Sequence, residues 1–206
     1  RPLLMARVLI LFAHPAMEKS RVHTRLVEHI PRSADIRFHD LYERYPDFDI
    51  DVLYEQRLLL QHDVIIFQHP FYWYSSPAII KQWIDLVLEH GWAYGTEGRA
   101  LTGKKMLNAI STGGSKNSYT ATGRNQFSVA DFLLPFQQTA NLCGIEYLPP
   151  FVIHGTHRLA ETDMDLHALQ YEQMLLALVQ DRISKPEIES CVYMNDLVPI
   201  PNAIQS

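Results

Sequence analysis

The chain has 206 residues, 47% of them hydrophobic and 20% charged, enough for one α/β domain with a sizeable core and no covalent staples. Lys and Arg number 18 against 23 Asp and Glu, and the formal charge of −5 excludes the basic stripe of a nucleic-acid binder without excluding a local anion site. Two cysteines, Cys143 and Cys191, are too few for a disulfide scaffold. Ten histidines and 11% aromatics are the unusual entries of the composition.

Residues 1–5 are too short for a secretory leader, and the apolar run at 8–13 falls far short of a membrane span, so the expected compartment is the cytoplasm. Residues 6–13 form a continuous apolar run ended by His14-Pro15 and read as a strand buried on both faces. Ser20 offers an N-cap to a helix carrying Val22, Leu26, Val27 and Ile30, stopped by Pro31. Residues 35–41 alternate as a second strand, Tyr45-Pro46-Asp47 is a turn, and residues 52–61 read as a helix. Residues 63–68 are a third strand, followed by an aromatic loop over 69–75. Ser76 as cap and Pro77 at the first position then open a helix bearing Ile79, Ile80, Trp83, Ile84, Val87 and Leu88, which stops near Gly91.

Residues 104–110 are a fourth strand leading into Ser111-Thr112-Gly113-Gly114. After a polar stretch, a helix is expected from about Ser128 to Leu142, with Gly144 as its stop. A fifth strand over 145–154 is interrupted by Pro149-Pro150. Thr162 and Asp165 resemble a capping box for a last helix reaching about Ile183, and Lys185-Pro186 breaks it. The proline-bearing remainder reads as an extended tail, so the expected division is a domain over 1–184 and a tail over 185–206.

Strand and helix alternate five times. That order predicts an α/β fold with a doubly wound five-stranded parallel sheet and helices on both faces. Such sheets bind ligands beyond the carboxyl ends of their strands, so the strand-end loops carry the candidate site. After the first strand, His14 and the helix-opening run Ser20, Arg21, Val22 and His23 offer free amides and basic side chains to an anion. After the third, Pro70-Phe71-Tyr72-Trp73-Tyr74 offers a wall for a flat ring. After the fourth, Ser111, Thr112, Gly113 and Gly114 offer backbone amides at close approach. The fingerprints G-x-G-x-x-G and G-x-x-x-x-G-K-[ST] are absent from the sequence. Together the three loops have the layout for a flavin mononucleotide-like group, its phosphate at the helix and its ring between the other two loops.

Ala13-His14-Pro15, Gln68 to Tyr74, Pro77-x-x-x-Lys81-x-Trp83-x-Asp85, Gly91-Trp92-Ala93-Tyr94-Gly95 and Thr112-Gly113-Gly114 resemble the flavodoxin-like NAD(P)H:quinone oxidoreductases. Tyr45-Pro46-Asp47-Phe48 is similar to the branch of Kef-type potassium-efflux ancillary proteins. The resemblance covers about residues 6–182. It implies a flavodoxin-like fold, a homodimer with flavin at the interface, and ping-pong hydride transfer from NAD(P)H through FMN or FAD to a quinone. It further implies that His14 and Ser20 to His23 hold the phosphate and ribityl end, Phe71 to Tyr74 border the ring, and Ser111 to Gly114 meet its polar edge.

The resemblance also implies a catalytic tyrosine at Tyr119, a phenolic donor to the flavin. Asn125 stands where the animal enzymes have a histidine, and His23 where the relatives usually have asparagine. A rival role is that of a redox-sensing regulator bound to a membrane potassium-efflux transporter, which would put the chain peripherally at the inner face of the cell membrane. Reduction of azo or nitro compounds is a third, since an aromatic cleft admits many flat acceptors. FMN is not distinguished from FAD, nor NADH from NADPH, although Lys116 and Arg124 favour a phosphate.

The remaining polar residues read blandly. His154-x-x-His157 has no third ligand at nearby spacing and is expected to be a solvated pair rather than a metal site. His39, His62, His90 and His167 are expected at the surface or at helix ends, Cys143 buried at a helix end, and Cys191 unactivated. Ser128 and Asp131 lack the G-x-S-x-G of a nucleophile elbow.

Overall fold

The computed structural model describes residues 5–198. Strand β1 (Val8–Phe12) is buried along its whole length because it lies between β2 (Ile36–Asp40) and β3 (Val64–Pro70), with Val8 level with both Ile36 and Val64. Strand β4 (Lys105–Ser111) pairs with the other side of β3. Its outer edge is shared by two short strands, β5 (Glu146–Tyr147) and β6 (Phe151–Ile153). Every ladder is parallel, in the order β2-β1-β3-β4-β5 with β6 also on β4. The expected fifth strand is therefore two segments, parted where Pro149 and Pro150 can donate nothing to a ladder.

The two-residue side-chain period divides each inner strand between two cores. Leu9, Leu11, Ile65 and Phe67 face one layer of helices: α2 (Leu41–Arg44), α3 (Val52–Leu60), α4 (Ala78–Val87), α5 (Val129–Phe132) and α6 (Leu134–Leu142). Val8, Ile10, Val64 and Ile66 face the other, against Val22 and Leu26 of α1 (Arg21–Glu28) and Ala168, Tyr171 and Leu175 of α7 (Glu161–Val179).

Several boundaries differ from expectation for local reasons. Helix α4 starts at Ala78 with Pro77 as its N-cap and no side-chain cap, so Ser76 does not cap it. The helix expected over 128–142 is two, because Pro135 is tolerated only in a first turn and the chain restarts at Leu134. Helix α7 is flanked by Ala160 without a side-chain cap, which places Thr162 and Asp165 inside the helix. His39 lies buried within β2, neither at the surface nor at a helix end, and bonds Glu55, while His62 stands at the end of α3 as expected but buried, its Nδ1 donating to the Leu58 carbonyl at 2.6 Å.

The start of the tail is not extended. Ser184 and Glu187 form a capping box for α8 (Lys185–Ser190), so Pro186 stands in an opening turn. A 3-10 turn at Met194–Asp196 then docks on the domain. The Met194 amide donates to the Pro150 carbonyl at 2.9 Å, the Val152 amide donates to Asn195 Oδ1 at 2.8 Å, and the Met194 side chain is fully buried. The tail's Pro199, Pro201 and Asn202 lie outside the described residues.

Candidate active site

The first helix begins beside the carboxyl end of β1, and its opening turn is built by one residue. The Ser20 hydroxyl oxygen accepts from the His23 amide at 3.1 Å, and the Ser20 carbonyl takes the Thr24 amide. The amides of Arg21 and Val22 are then the two left without an acceptor in the helix, at its positive end. His14 faces the same space. Its Nδ1 accepts from the Ala16 amide at 3.1 Å, which puts the ring proton on Nε2 as a donor. Burial lowers the His14 pKa, so at neutral pH it offers this proton without carrying charge.

These groups line a cleft of about 510 Å³ with Lys19, Pro70, Phe71, Tyr72, Ser111, Gly113, Thr156 and His157. That volume lies in the ~300–1,000 Å³ range of small-molecule sites. Arg21 lines it too, but its guanidinium Nε donates to Glu161 at 3.1 Å, so α7 already uses part of its charge. Lys19 has no side-chain partner among the described residues and was not anticipated. Its position just before the cap Ser20 was the available signal.

The aromatic loop is strained. Trp73 and Tyr74 take φ of +48° and +62°, a left-handed conformation costly for bulky residues, and Trp73 is 92% exposed. Phe71 holds the inner side of the loop, edge-on to Tyr119 at 5.8 Å, while Tyr74 stacks on Phe132 at 5.0 Å. Beneath the loop, His69 Nδ1 donates to the Pro70 carbonyl at 2.9 Å. Asn108 Nδ2 donates to His69 Nε2 at 3.0 Å, and the Tyr147 hydroxyl donates to Asn108 Oδ1 at 2.7 Å. Burial pushes the His69 pKa down to about 4, which keeps that chain neutral and its direction fixed.

Each glycine of the fourth-strand loop faces a ring. A Cβ on Gly113 would lie 2.6 Å from His157 Nε2, and one on Gly114 would lie 3.0 Å from the Tyr119 ring. Beyond these glycines a second cleft of about 360 Å³ continues from the first. It shares Phe71, Gly113 and His157 with the first cleft, and adds Trp73, Tyr74, Tyr119, Arg124 and Asn125. Burial raises the Tyr119 pKa, so the phenol stays a protonated donor at neutral pH.

The structure thus brings His14, Ser20, Arg21, Val22, Pro70, Phe71, Tyr72, Ser111 and Gly113 to one cleft, and Trp73, Tyr74, Gly114, Tyr119 and Asn125 to its extension. It sets two expected contacts behind the wall. His23 is buried, with its Nε2 2.9 Å from Ser111 Oγ and a pKa well below normal through burial, so its ring braces the strand end. Thr112 is buried too, its hydroxyl donating to the Gly114 carbonyl at 2.8 Å. His154 stands 3.2 Å from that hydroxyl and is part-buried. The expected solvated pair is therefore divided, with His154 packed behind the loop and His157 on its open side.

The family described as having a flavodoxin-like fold matches residues 6–175. The glutathione-regulated potassium-efflux system ancillary protein KefG of Yersinia enterocolitica is 41% identical over 169 residues, 82% of this chain and 92% of that protein. The crystal structure of the general stress protein 14 from Treponema denticola in complex with FMN is 40% identical, with a TM-score of 0.80, covering 84% of this chain and 99% of the other. The crystal structure of an NADPH-quinone reductase from P. pentosaceus is 33% identical, with a TM-score of 0.74, covering 81% and 96%.

Proposed function

The chain belongs to the flavodoxin-like fold family, and from that premise we propose that it is an FMN-dependent NAD(P)H:quinone oxidoreductase. The observation that carries this reading is the continuity of the two clefts, with anion donors at one end, an aromatic wall along the middle and a phenolic donor at the other. The residues fit the cofactor. The Arg21 and Val22 amides, His14 Nε2 and Lys19 would hold its phosphate, and Pro70 to Tyr72 with Gly113 and Ser111 would border its planar ring. Gly113 is the telling position, since a side chain there would collide with the His157 ring, its Cβ 2.6 Å from Nε2, and displace it from the cleft. Bound FMN supplies two-electron hydride chemistry between NAD(P)H and a quinone.

The chain's own part is to bind, orient and donate. Tyr119, which lines the second cleft, would donate a hydrogen bond to a bound flavin and so favour negative charge on it. Asn125 accepts from the Tyr74 hydroxyl at 3.4 Å and positions that side of the second cleft. Nicotinamide and quinone use the second cleft in turn, which makes the kinetics ping-pong. The exposed Trp73 and Tyr74 form the lip that a second copy of the chain covers in a homodimer.

The test is to reconstitute the purified protein with FMN and record its visible spectrum, then its turnover of NADPH and NADH with a quinone. Flavin absorbance and parallel double-reciprocal lines are expected, and a protein that takes up no flavin overturns the reading. The similarity to KefG favours a second role, regulation of a membrane potassium-efflux transporter by peripheral docking. Co-purification with such a transporter alongside weak turnover would put regulation first.

A further inference from the structure

The reaction proposed above consumes a proton. NAD(P)H, a quinone and H⁺ give NAD(P)⁺ and a hydroquinone. Hydride delivers two electrons and one hydrogen, and the remaining quinone oxygen must take its proton from elsewhere. The second cleft offers few groups able to provide one near neutrality. The Asn125 amide does not ionise in that range, and the buried Tyr119 phenol is held above its ordinary pKa and keeps its proton. Arg124 is a permanent cation. The other imidazole at the site, His14, lines only the first cleft, at the anion end.

His157 is the imidazole that lines both clefts, and it stands where they meet. Its placement is built by backbone. The Gly155 amide donates to the Gly114 carbonyl at 2.9 Å, and the Thr156 amide donates to the Thr112 carbonyl at 3.1 Å. These two bonds fasten the loop after β6 to the glycine loop. Gly155 takes φ of +70°, a turn that favours glycine, and the chain then brings the His157 ring over Gly113. The ring is exposed and has no hydrogen-bond partner among the described residues. The groups around it are Lys19, Arg21 and His14 from the β1–α1 side, Tyr72 and Tyr74 from the aromatic loop, and Tyr119 and Arg124 from the segment after the glycines. Among the described residues no carboxylate lines either cleft, so none there competes to carry the proton.

We infer that His157 is the catalytic acid of the quinone half-reaction. Its imidazolium gives a proton to the acceptor's oxygen as hydride arrives and regains one from water. Histidine is the side chain that exchanges protons near neutral pH, and a placed acid of this kind contributes typically ~10²–10⁴-fold. The inference rests on the reductase reading, and the test separates the two.

The variant is His157→Gln, which keeps a polar side chain and removes the exchangeable proton. Three readouts apply: the FMN dissociation constant from fluorescence quenching, the rate of bleaching by NADPH, and the rate of reoxidation by menadione. With both proteins saturated with FMN, reoxidation of the variant should fall by at least about 10²-fold more than its bleaching does at neutral pH, and recover with added imidazole. A fourth readout is independent of turnover. In the oxidised, FMN-loaded protein, the imidazole resonance missing from His157→Gln should shift as menadione is titrated in. Reoxidation at the unaltered rate from about pH 5.5 to 8.5, a loss that imidazole does not repair, or a menadione complex that leaves the resonance unmoved overturns the proposal. An unaltered protein that takes up no flavin overturns the reductase reading with it.

Discussion

Glu55 has no solvent contact, and a carboxylate so placed is costly unless every lone pair is answered. Its Oε1 accepts from the Tyr45 hydroxyl at 2.6 Å and from His39 Nε2 at 2.7 Å, and its Oε2 accepts from Trp83 Nε1 at 2.8 Å. One side chain of α3 thereby ties down β2, the turn after α2, and α4. Tyr45→Phe removes one of these donors and leaves the rest in place. Because the lost bond is to a charged acceptor, the expected cost is about 1.5–3 kcal/mol. Urea denaturation should show a lower midpoint with an unchanged slope, and a change below about 0.5 kcal/mol would mean that the network is not holding these elements together. None of this was legible in the sequence, where Trp83 stands only among the apolar positions of a helix and His39 is expected at the surface or at a helix end. Spacing reports which face a residue occupies, and the partners of Glu55 lie 10, 16 and 28 residues away on three elements. His157 shows the same limit. Its spacing from His154 is readable within one loop, but its contact is with Gly113, 44 positions back in the chain.

At the scale of elements, what is encoded locally was legible and what is imposed from outside was not. Helix α1 is the first kind. Ser20 is its cap in sequence and in structure, and the hydroxyl that accepts from the His23 amide keeps its own proton to donate into the cleft. Ser20→Ala should therefore destabilise the fold by about 1 kcal/mol through the lost cap, while Ser20→Gly costs only a few tenths. Both variants should also weaken FMN binding, because both lack the hydroxyl. Thermal unfolding of the flavin-free protein separates the cap from the ligand contact. Equal stability of the two variants would contradict the cap, and unchanged FMN affinity in both would contradict the contact. Helix α7 and the start of the tail are the second kind. The end of α7 at Ala160 is fixed without a cap, while Glu161 and Asp165 pair with Arg21 and Arg25 of α1. Residues 194–198 fold because the edge beside β6 and Gln170 of α7 offer hydrogen bonds: Gln170 Nε2 donates to the carbonyls of Asn195 and Val198 at 2.9 and 2.7 Å. A prolines-and-asparagine composition predicts an extended tail when read alone, and docking overrides it.

For the whole molecule, the strand order carries the function. With β1 and β3 adjacent and their helices on opposite faces, a crevice opens at their carboxyl ends, and β4 and β6 extend it. Five histidines, His14, His23, His69, His154 and His157, gather at or just behind this crevice, and burial of histidines there and elsewhere has a thermodynamic consequence. Burial lowers the pKa of His14, His23, His62, His69 and His154, with His69 and His154 both pushed down to about 4. A histidine held neutral in the folded state but titrating near 6.5 when unfolded binds more protons unfolded at every pH between those values. Stability is therefore complete above about pH 6.5 and is lost as the pH falls toward 4, with His69 alone contributing roughly 1.4 kcal/mol per pH unit over that window. His154 is more open to solvent and contributes less. Urea midpoints should hold between pH 7.5 and about 6.5 and then fall steeply down to pH 5. A midpoint that holds constant through that range would show that these rings are reached by water and titrate as they do in the unfolded chain. His69→Asn should flatten the curve in proportion, since it removes the most buried of these rings while keeping a polar group beneath Pro70.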